Sequence, residues 1–452
     1  MFGLARTGMS VIRALTSAGA RVFAWDDQER SRREATASGA NLVPFSQWPW
    51  DRIRALILSP GVPLTHPTPH GVVTAARKAG VEIIGDLEIF GREIGYSSVN
   101  SAPVIAVTGT NGKSTTTALI GHILAACGYT AEVGGNIGKP VLNLSPPGSR
   151  TVYILEVSSY QIDLSPGLAP DVSVLTNVAP DHLDRHGSMA NYVSAKCRLL
   201  EHARRMVCIG INDPNSAYIY ARFAGAKVEA APISIGKVIE RGVFVLDGIL
   251  YDSRRSPSLK IADLKEAKHL VGAHNWQNAA LAYAATLELV KDAKSIGAAI
   301  ASFPGLPHRM EDVGSIRNVR FINDSKATNA DAAERALVCF DDIFWIAGGL
   351  AKAGGIESLS PQFSRVRKAY LIGDAAPNFA KTLQGVDCEL CGDLNVAVAA
   401  AYRDARRSRA SAPVVLFSPA CASFDQFRDY EHRGEVYRAL VAELIAPARE
   451  AS

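Results

Sequence analysis

One stretch, "VIAVTGTNGKSTTTALIGHIL" from Val104 to Leu124, constrains the fold of this chain more than any other. It begins as an apolar, β-branched run, which predicts a buried strand, and it ends with apolar residues spaced as on one side of a helix. Two glycines and a Lys-Ser pair stand where that helix would begin. Because backbone N–H groups at a helix start attract anions, this order predicts a phosphate-binding loop.

The loop is shorter than the usual P-loop, because only two residues separate its glycines. We predict that Lys113 offsets charge on the β- and γ-phosphates of a nucleotide and that Ser114 offers its hydroxyl to Mg²⁺. The alternative is a tight strand-to-helix turn with an incidental lysine, which the Gly-Lys-Ser-Thr order disfavours. The predicted nucleotide-binding residues are Gly109, Thr110, Asn111, Gly112, Lys113, Ser114 and Thr115.

Length and composition narrow the class of protein. A chain of 452 residues is too long for one hydrophobic core. The net charge of +4 is small for this length and gives no argument for nucleic acid or a membrane. No apolar run approaches the length of a membrane span, and the seven scattered cysteines are typical of reduced thiols. The N-terminus lacks the order of a signal peptide, so we expect a cytoplasmic enzyme, without membrane insertion and active as a monomer.

Strand-like and helix-like segments alternate along the chain, which favours parallel α/β sheets. "ARVFAW" (20–25) and "ALILS" (55–59) are predicted strands, and Met9–Ala18 and Val72–Ala79 are predicted helices. The prolines and glycine of "SFPGLPHRME" mark a boundary. We predict an α/β protein of three consecutive domains: a Rossmann-like N-terminal domain (1–92), a central P-loop-type ATPase domain (93–303) and a Rossmann-like C-terminal domain (304–452).

Further polar residues follow predicted strands of the central domain. Glu156 ends the strand in "YILEVSSYQID", and "VLTNVAPDHLDRHG" places Asp181, His182 and Asp184 after another strand. Ligands bind at the carboxyl ends of such sheets, and hard cations prefer oxygen, so these clusters predict one metal–nucleotide site. Taken alone, each residue has a plainer interpretation as a cap or surface residue. Lys196, on a predicted helix, would by itself be an ordinary solvated lysine.

Asn275 and Asn278 lie three residues apart at a predicted helix start, with the donors and acceptors that an adenine edge needs. N-capping is the equally weighted alternative. Towards the C-terminus, polar residues follow successive predicted strands and would open onto a common crevice. These residues are Asp324, Lys326, Thr328, Lys352, Ser418 and Ser423, with Arg309 at the domain boundary.

Taken in order, these motifs resemble the Mur ligase family of peptidoglycan synthesis. The matching segments are "GTNGKST" (109–115), "GGNIG" (134–138), "EVSSYQ" (156–161), "PDHLDRHG" (180–187), "SAKCRL" (194–199), "GAHNWQNA" (272–279), "PHRME" (307–311), "NDSKATN" (323–329) and "SPACASFDQF" (418–427). They extend over nearly the whole chain. "GTNGKST" alone is also similar to folylpolyglutamate synthases, whereas the last two segments are similar to the branch of the family that adds D-glutamate.

The resemblance implies ATP and Mg²⁺ as cofactors, and UDP-N-acetylmuramoyl-L-alanine and D-glutamate as substrates. The reaction implied is phosphorylation of a substrate carboxylate, followed by attack of the D-glutamate amine on the acyl phosphate. In this family the lysine that matches Lys196 is an N-carbamate, which reverses its plainer interpretation. Lys113, His182 and Lys196 would be catalytic, and Ser114, Glu156, His182 and Lys196 would form the metal site.

The resemblance also assigns binding roles. Asn275, Asn278, Arg309 and Asp324 would hold the adenine, phosphate and ribose of ATP, and Asn136 and His182 would contact the muramoyl group. Lys326, Thr328, Lys352 and Ser423 would surround D-glutamate. The uridine diphosphate would be bound by "GLARTG" (3–8), "WDD" (25–27) and "SPG" (59–61), through Arg6, Thr7, Asp26, Ser59 and Gly61.

The first loop departs from a dinucleotide fingerprint. Ala5 stands where an NAD site has its second glycine, and its Cβ obstructs close approach of a pyrophosphate. This disfavours a nicotinamide-dependent dehydrogenase, whereas a regulatory ATPase without a covalent product stays open as the alternative. Only Met1 and Phe2 precede the loop, so we expect the first sheet to lack a full central strand, because that strand is absent or because the true start lies upstream.

Overall fold

The computed structural model of the chain describes residues 1–37, 39–96, 102–254, 257–351 and 354–450. The chain forms two compact units, unit 1 from Met1 to Phe303 and unit 2 from Pro304 to Ser452. The predicted boundary at 92/93 falls inside unit 1 and stays a prediction. None of the helices in the described ranges is long and apolar enough to cross a membrane.

Unit 1 alternates strands and helices over most of its length. Its strands are β1 (Ala55–Ile57), β2 (Glu82–Ile84), β3 (Val104–Thr108), β4 (Thr130–Gly135), β5 (Thr151–Glu156), β6 (Val172–Leu175), β7 (Met206–Gly210), β8 (Glu229–Ile235), β9 (Val243–Leu246), β10 (Ile249–Asp252) and β11 (Leu259–Asp263). Its helices are α1 (Arg6–Ser17), α2 (Glu29–Ala37), α3 (Gly71–Lys78), α4 (Asp86–Tyr96), α5 (Lys113–Ala126), α6 (Ser159–Asp163), α7 (Leu183–His186), α8 (Met189–Glu201), α9 (Pro214–Phe223), α10 (Ala273–Val290) and α11 (Ala293–Ala301).

A nine-stranded sheet dominates unit 1, in the order β11-β10-β9-β8-β7-β6-β3-β5-β4. The strands from β4 to β9 pair in parallel, and β10 and β11 add an antiparallel edge. Every residue of β3 is buried, as its apolar run predicts. Because β3 lies between β5 and β6, the segments that follow these three strands emerge side by side, where parallel sheets bind ligands.

The N-terminal part of unit 1 is less regular than predicted. β1 and β2 pair in parallel, but "ARVFAW" forms only isolated bridges at Ala24 and Trp25. Phe2 bridges Trp25 on one side and Leu58 on the other, and so occupies the central position in place of a full strand. The helices α1 and α3 confirm the predicted ones, each shifted by one to three residues. Met1 and Gly3 also hydrogen-bond to the backbone of 23–25, so residues 1–3 form a short pairing at the expected central position.

Unit 2 contains one six-stranded sheet in the order β12-β13-β17-β14-β15-β16. All neighbours pair in parallel except β12 with β13. The strands are β12 (Glu311–Ile316), β13 (Val319–Asn323), β14 (Ile343–Gly348), β15 (Val366–Ile372), β16 (Cys388–Gly392) and β17 (Val414–Phe417). The helices are α12 (Ala330–Leu337), α13 (Ala376–Thr382), α14 (Leu394–Ala405) and α15 (Tyr430–Glu450).

The order of this sheet places β13, β17 and β14 next to one another. Asn323 at the end of β13 pairs with Phe417 at the end of β17, and Phe417 pairs with Ile346 of β14. The loops that carry Asp324, Lys326 and Ser418 therefore leave the same edge of the sheet, as the sequence predicts. Two core layers, one on each face, hold the sheet between its helices.

Candidate functional site

The loop between β3 and α5 has the backbone shape that its glycines permit. Gly109 and Gly112 both have positive φ, at 142° and 83°. A Cβ on Gly109 would lie 1.9 Å from Thr176 Oγ1, and one on Gly112 would lie 2.4 Å from Asn278 Oδ1. Both positions therefore require glycine, for conformation and for space. The strand before and the helix after the loop confirm the predicted order of elements.

Two lysines converge on this loop. Lys113 Nζ donates to the carbonyls of Gly109 (2.9 Å) and Thr110 (2.8 Å), and Lys196 Nζ donates to the same Gly109 carbonyl at 3.0 Å. Lys196 is only 1% exposed, so the interpretation as a solvated lysine is wrong. Burial, and then the positive charge of Lys113, hold the pKa of Lys196 well below its usual range. A neutral amine can take up CO₂, whereas a protonated one cannot.

Arg198 stands close to Lys196 in the sequence but does not lie beside it in the fold. Arg198, two residues further along α8, forms an ion pair with Asp163 and is partly exposed. Successive residues of a helix face different directions, so a residue two positions on does not share the buried side of Lys196. The cation whose charge acts on Lys196 is Lys113.

Glu156 fits a ligand for a divalent cation. It ends β5 beside the loop, is 2% exposed, and accepts a hydrogen bond from Asn136 Nδ2 on Oε1 at 2.7 Å. Its Oε2 is buried and has no hydrogen-bond partner among the described residues. Burying a carboxylate oxygen without a partner is costly, and a hard cation such as Mg²⁺ would satisfy it.

No group of three or more His, Cys, Asp or Glu side chains that could hold a metal ion occurs in the described part of the chain. The predicted donor set of one carboxylate, one imidazole, a hydroxyl and a lysine contains only two side chains of these types. Mg²⁺ is usually held by one or two carboxylates, with phosphates and water as its other ligands. The residues present therefore fit Mg²⁺ bound together with a nucleotide.

His182 lies at the start of α7, with a positive φ of 54°. Its ring lies 4.9 Å from that of Tyr160, and its Nε2 is 3.4 Å from Asp181 Oδ2. Partial burial outweighs Asp181 and lowers the pKa of His182, and the charge of Lys113 lowers it further. The imidazole is consequently neutral at neutral pH, which is the form that binds metals.

Asn275 and Asn278 are brought to the loop by α10, which packs against α5. Asn278 Oδ1 accepts from Thr116 Oγ1 (3.3 Å), and its Nδ2 donates to Asn275 Oδ1 (3.2 Å). The N-cap of α10 is Gly272, so neither asparagine caps the helix and that alternative is wrong. Both are buried, and Asn275 also donates to the Val271 carbonyl at 2.9 Å.

The three segments predicted to bind uridine diphosphate lie close together, where Phe2 bridges Trp25 and Leu58. Asp26 accepts from the backbone N–H of Leu4 at 2.6 Å, and the Ser59 N–H donates to the Phe2 carbonyl at 2.9 Å. Arg6 begins α1 and is exposed, and Thr7 follows it. Gly61 is exposed, with its carbonyl accepting from Arg185 at 2.9 Å. The Asp26 carboxylate thus binds the backbone of the first loop, a contact that the sequence alone did not indicate.

In unit 2, Asp324 and Arg309 lie in one polar cluster. Asp324 accepts from Ser418 Oγ at 2.8 Å and from the Met310 N–H at 3.2 Å. Burial raises the pKa of Asp324 to about 6, against the opposing effects of Ser418 and Arg309. Arg309 Nε is buried and has no hydrogen-bond partner among the described residues, so a donor is available there for a ligand.

The residues predicted for D-glutamate have different environments. Lys326 and Thr328 are partly buried, with Lys326 Nζ 5.4 Å from the centre of the Tyr430 ring. Ser423 is 2% exposed and starts the turn that follows β17. Lys352 lies outside the described residues.

Several residues around the loop were missed by the sequence analysis. Asn177 accepts the Asn111 N–H on its side chain (3.0 Å) and the Thr110 N–H on its carbonyl (2.9 Å). Tyr192 contacts Thr110 Oγ1 at 3.0 Å. Arg185 donates to the carbonyls of 60–62 and lies over the Tyr160 ring. Asn177 and Arg185 stand within segments already singled out, but only the folded structure shows that Asn177 contacts the glycine loop and that Arg185 contacts 60–62.

Comparison with known proteins agrees with this geometry. Residues 107–286 match the Mur ligase middle domain, and residues 308–421 match the Mur ligase, glutamate ligase domain. A UDP-N-acetylmuramoylalanine–D-glutamate ligase from Caulobacter sp. (strain K31) is 51% identical over 99% of this chain and 96% of its own length.

Two solved structures share the fold. The UDP-N-acetylmuramate-alanine ligase of Thermotoga maritima superposes with a TM-score of 0.60 at 18% identity, covering 98% of each chain. A MurF ligase from the same organism, in complex with ADP, has a TM-score of 0.56 at 16% identity over 88% of this chain and all of its own. With two domain families matched and half of its residues shared with a relative over its whole length, the chain belongs to the Mur ligase family.

Proposed function

We propose that this chain joins D-glutamate to UDP-N-acetylmuramoyl-L-alanine with hydrolysis of ATP to ADP and phosphate, in the synthesis of peptidoglycan precursors in the cytoplasm. The observation that carries the proposal is the meeting of the glycine loop, Lys113, Glu156 and the buried Lys196 at the ends of β3 and its two neighbours. The identity of 51% to a D-glutamate ligase over the whole chain supports the choice of substrates.

Carboxylates do not react with amines at neutral pH, so the carboxylate needs a leaving group. Transfer of the γ-phosphoryl group to the substrate carboxylate gives an acyl phosphate, which the neutral amine of D-glutamate attacks before phosphate departs. Lys113 offsets the charge that develops on the transferred group, and the backbone N–H groups of the loop hold it in place. Mg²⁺, held through Ser114, Glu156, His182 and the carbamate of Lys196, would neutralise phosphate charge.

The remaining residues are assigned to the binding of ATP and of the two other substrates. Asn275 and Asn278 bind the adenine, and Arg309 and Asp324 bind phosphate and ribose. Asn136 and His182 contact the muramoyl group, and 3–8, 25–27 and 59–61 bind the uridine diphosphate. Lys326, Thr328, Lys352 and Ser423 bind D-glutamate. We place these roles in three domains, 1–92 for the UDP substrate, 93–303 for ATP and 304–452 for the amino acid, the first and third Rossmann-like.

Product analysis tests the proposal. Incubation with ATP, Mg²⁺ and both substrates should give an amide product by mass spectrometry and one phosphate per amide. Leaving out either substrate should abolish phosphate release. A regulatory ATPase would release phosphate without either substrate and form no amide, and that result would refute the ligase assignment. Comparable product from L-glutamate, L-alanine or diaminopimelate would refute D-glutamate alone.

A further inference from the structure

Arg433, in the first turn of α15, is completely buried in unit 2. Its guanidinium donates to Ser325 Oγ (3.1 Å) and to the carbonyls of Ser325 (2.8 Å), Cys421 (3.0 Å) and Ala422 (3.3 Å). All four acceptors are oxygen atoms of loops at the edge of the sheet. The proposed reaction gives this residue no role, although a fully buried arginine is rare and costly.

The loops that Arg433 joins are those proposed to bind D-glutamate. Ser325 lies between Asp324 and Lys326, after β13, and Cys421 and Ala422 directly precede Ser423, after β17. One guanidinium therefore fixes the distance between two loops that are about a hundred residues apart in the chain.

A third loop, after β14, is attached to the same point. Leu350 N–H donates to the Ala422 carbonyl at 2.9 Å, and the Ala422 N–H donates to the Leu350 carbonyl at 3.0 Å. A Cβ on Gly349, which has a φ of 128°, would lie 2.5 Å from the Ala422 carbonyl and 3.2 Å from Arg433 Nη1. Glycine is thus required where this loop, which leads towards Lys352, passes over the guanidinium.

Gly434, which follows Arg433, contacts the loop that contains Arg309. Gly434 accepts a hydrogen bond from Asn323 Nδ2 at 3.1 Å, and a Cβ at this position would lie 2.2 Å from His308 Nδ1. Asn323 Nδ2 also lies 3.0 Å from His308 Nδ1. The Arg433-Gly434 pair at the start of α15 therefore contacts the loops before β12 and after β13, β14 and β17.

We propose that Arg433 is a positioning residue for the amino-acid substrate, setting the spacing of the three loops that bind D-glutamate without touching it. This inference rests on the proposed function. Arginine suits the role because its planar fork offers five donors in fixed directions, whereas lysine presents three donors at one point. Burial lowers the pKa of Arg433 to about 10, so the guanidinium remains protonated at neutral pH and keeps all its donors.

The test compares the wild type with Arg433→Lys and Arg433→Met. We expect the KM for D-glutamate to rise about tenfold to a hundredfold, because hydrogen bonds to a charged donor are lost and the loops lose their spacing. The KM for ATP and for the UDP substrate should change much less. The ratio of phosphate released to amide formed should rise above one, because water reaches the acyl phosphate when the amine is badly placed.

Tyr437→Phe is the matched control. Tyr437 is equally buried one turn further along α15, and its hydroxyl donates to the Val415 carbonyl in the sheet at 3.2 Å. We expect this variant to lose thermal stability with an unchanged KM for D-glutamate and one phosphate per amide. An equal rise of that KM in the control would show that α15 acts only through stability, and would overturn the proposal.

The remaining outcomes separate the two proposals. If the methionine variant does not fold, the lysine variant decides, since it keeps the charge. A lysine variant with the wild-type KM for D-glutamate and tight coupling would overturn the positioning role while leaving the ligase function intact. A wild type that forms no amide from D-glutamate would overturn the proposed function, and the positioning role with it.

Discussion

Among the described residues, each unit buries one lysine or arginine side chain almost completely, and the surroundings of the two side chains differ. Lys196 of unit 1 has one carbonyl partner, Gly109, and a second cation, Lys113, beside it. Arg433 of unit 2 has four oxygen acceptors from two loops. The pKa of Lys196 falls well below its usual range, whereas that of Arg433 falls only to about 10. Burial therefore prepares a reactive neutral amine in unit 1 and a fixed structural cation in unit 2.

The largest expected effect concerns Lys196. If its carbamate acts near the metal, Lys196→Arg should be nearly as inactive as Lys196→Ala, because a guanidinium cannot take up CO₂. Loss of one electrostatic group in an active site costs about 2.7–4 kcal/mol, or a hundredfold to a thousandfold in kcat. Steady-state kinetics measure the loss, with Lys294→Arg on the exposed side of α11 as the control. An active arginine variant would break the comparison, since Lys196 would then be a structural cation like Arg433.

The next effect is on the free energy of unfolding, and it has the same pH dependence in both units. Asp86 in unit 1 and Asp324 in unit 2 are both buried, and burial raises the pKa of each from 3.8 to about 6. A raised carboxyl pKa means that the folded state binds the proton more tightly. The tighter proton binding therefore adds to the free energy of unfolding. This stabilisation is fully present below about pH 4 and is lost as the pH rises through about 6.

Asp86→Asn and Asp324→Asn should each remove this decrease in the free energy of unfolding with rising pH, which for each residue is on the order of 3 kcal/mol. Urea unfolding between pH 4 and 7 measures it, and the free energy of unfolding should depend less on pH in each variant than in the wild type. Only Asp324→Asn should also weaken ATP binding, since Asp86 has no role in the proposed site. Equal pH dependence in the wild type and both variants would contradict the assigned direction.

A smaller effect tests whether amino-acid choice resides in unit 2. Lys326→Ala should weaken binding of D-glutamate by about 1.5–3 kcal/mol, or roughly tenfold to a hundredfold in KM, because a charge-assisted contact to a carboxylate is lost. The KM for the UDP substrate should not change. Substrate-dependence kinetics check this, with the exposed Lys381 of α13 replaced by alanine as the control. A larger change for the UDP substrate than for D-glutamate would place Lys326 outside the amino-acid site.

The smallest effect concerns Arg185, which holds the loop at 60–62 through three carbonyls, much as Arg433 holds its loops. Arg185 is partly exposed, so water can replace its hydrogen bonds. Arg185→Gln should raise the KM for the UDP substrate by about twofold to tenfold, since each such bond contributes about 0.5–1.5 kcal/mol. Arg222→Gln on α9 is the control. An effect as large as that of Arg433→Lys would show that burial does not govern how strongly these arginines act.

The sequence alone was sufficient to predict elements that are adjacent in the chain. It was also sufficient to group residues that follow neighbouring strands of one sheet. The strand, the glycine loop and the helix from Val104 to Ala126 lie next to one another in the chain, and the structure forms them as predicted. Glu156 and the loop of His182 follow strands adjacent to β3, so the rule that ligands bind at the carboxyl ends of strands was enough to group them. In the same way, Asp324 and Ser418 were expected in one crevice and share a hydrogen bond.

Only the tertiary structure decided which side chains lose contact with water. The helical pattern around Lys196 does not say what covers that face, and Lys113, which shares the Gly109 carbonyl with it, lies more than eighty positions away in the chain. The strand predicted at 20–25 became isolated bridges, in which Ala24 pairs with Leu42 and Trp25 pairs with Phe2. The sequence around Arg433 does not indicate its hydrogen-bond partners, because these partners, at 325 and at 421–422, come from other parts of unit 2. Chain order determines the elements and their chemistry, whereas pKa shifts and loop spacing depend on burial and on distances between remote segments, which exist only in the folded protein.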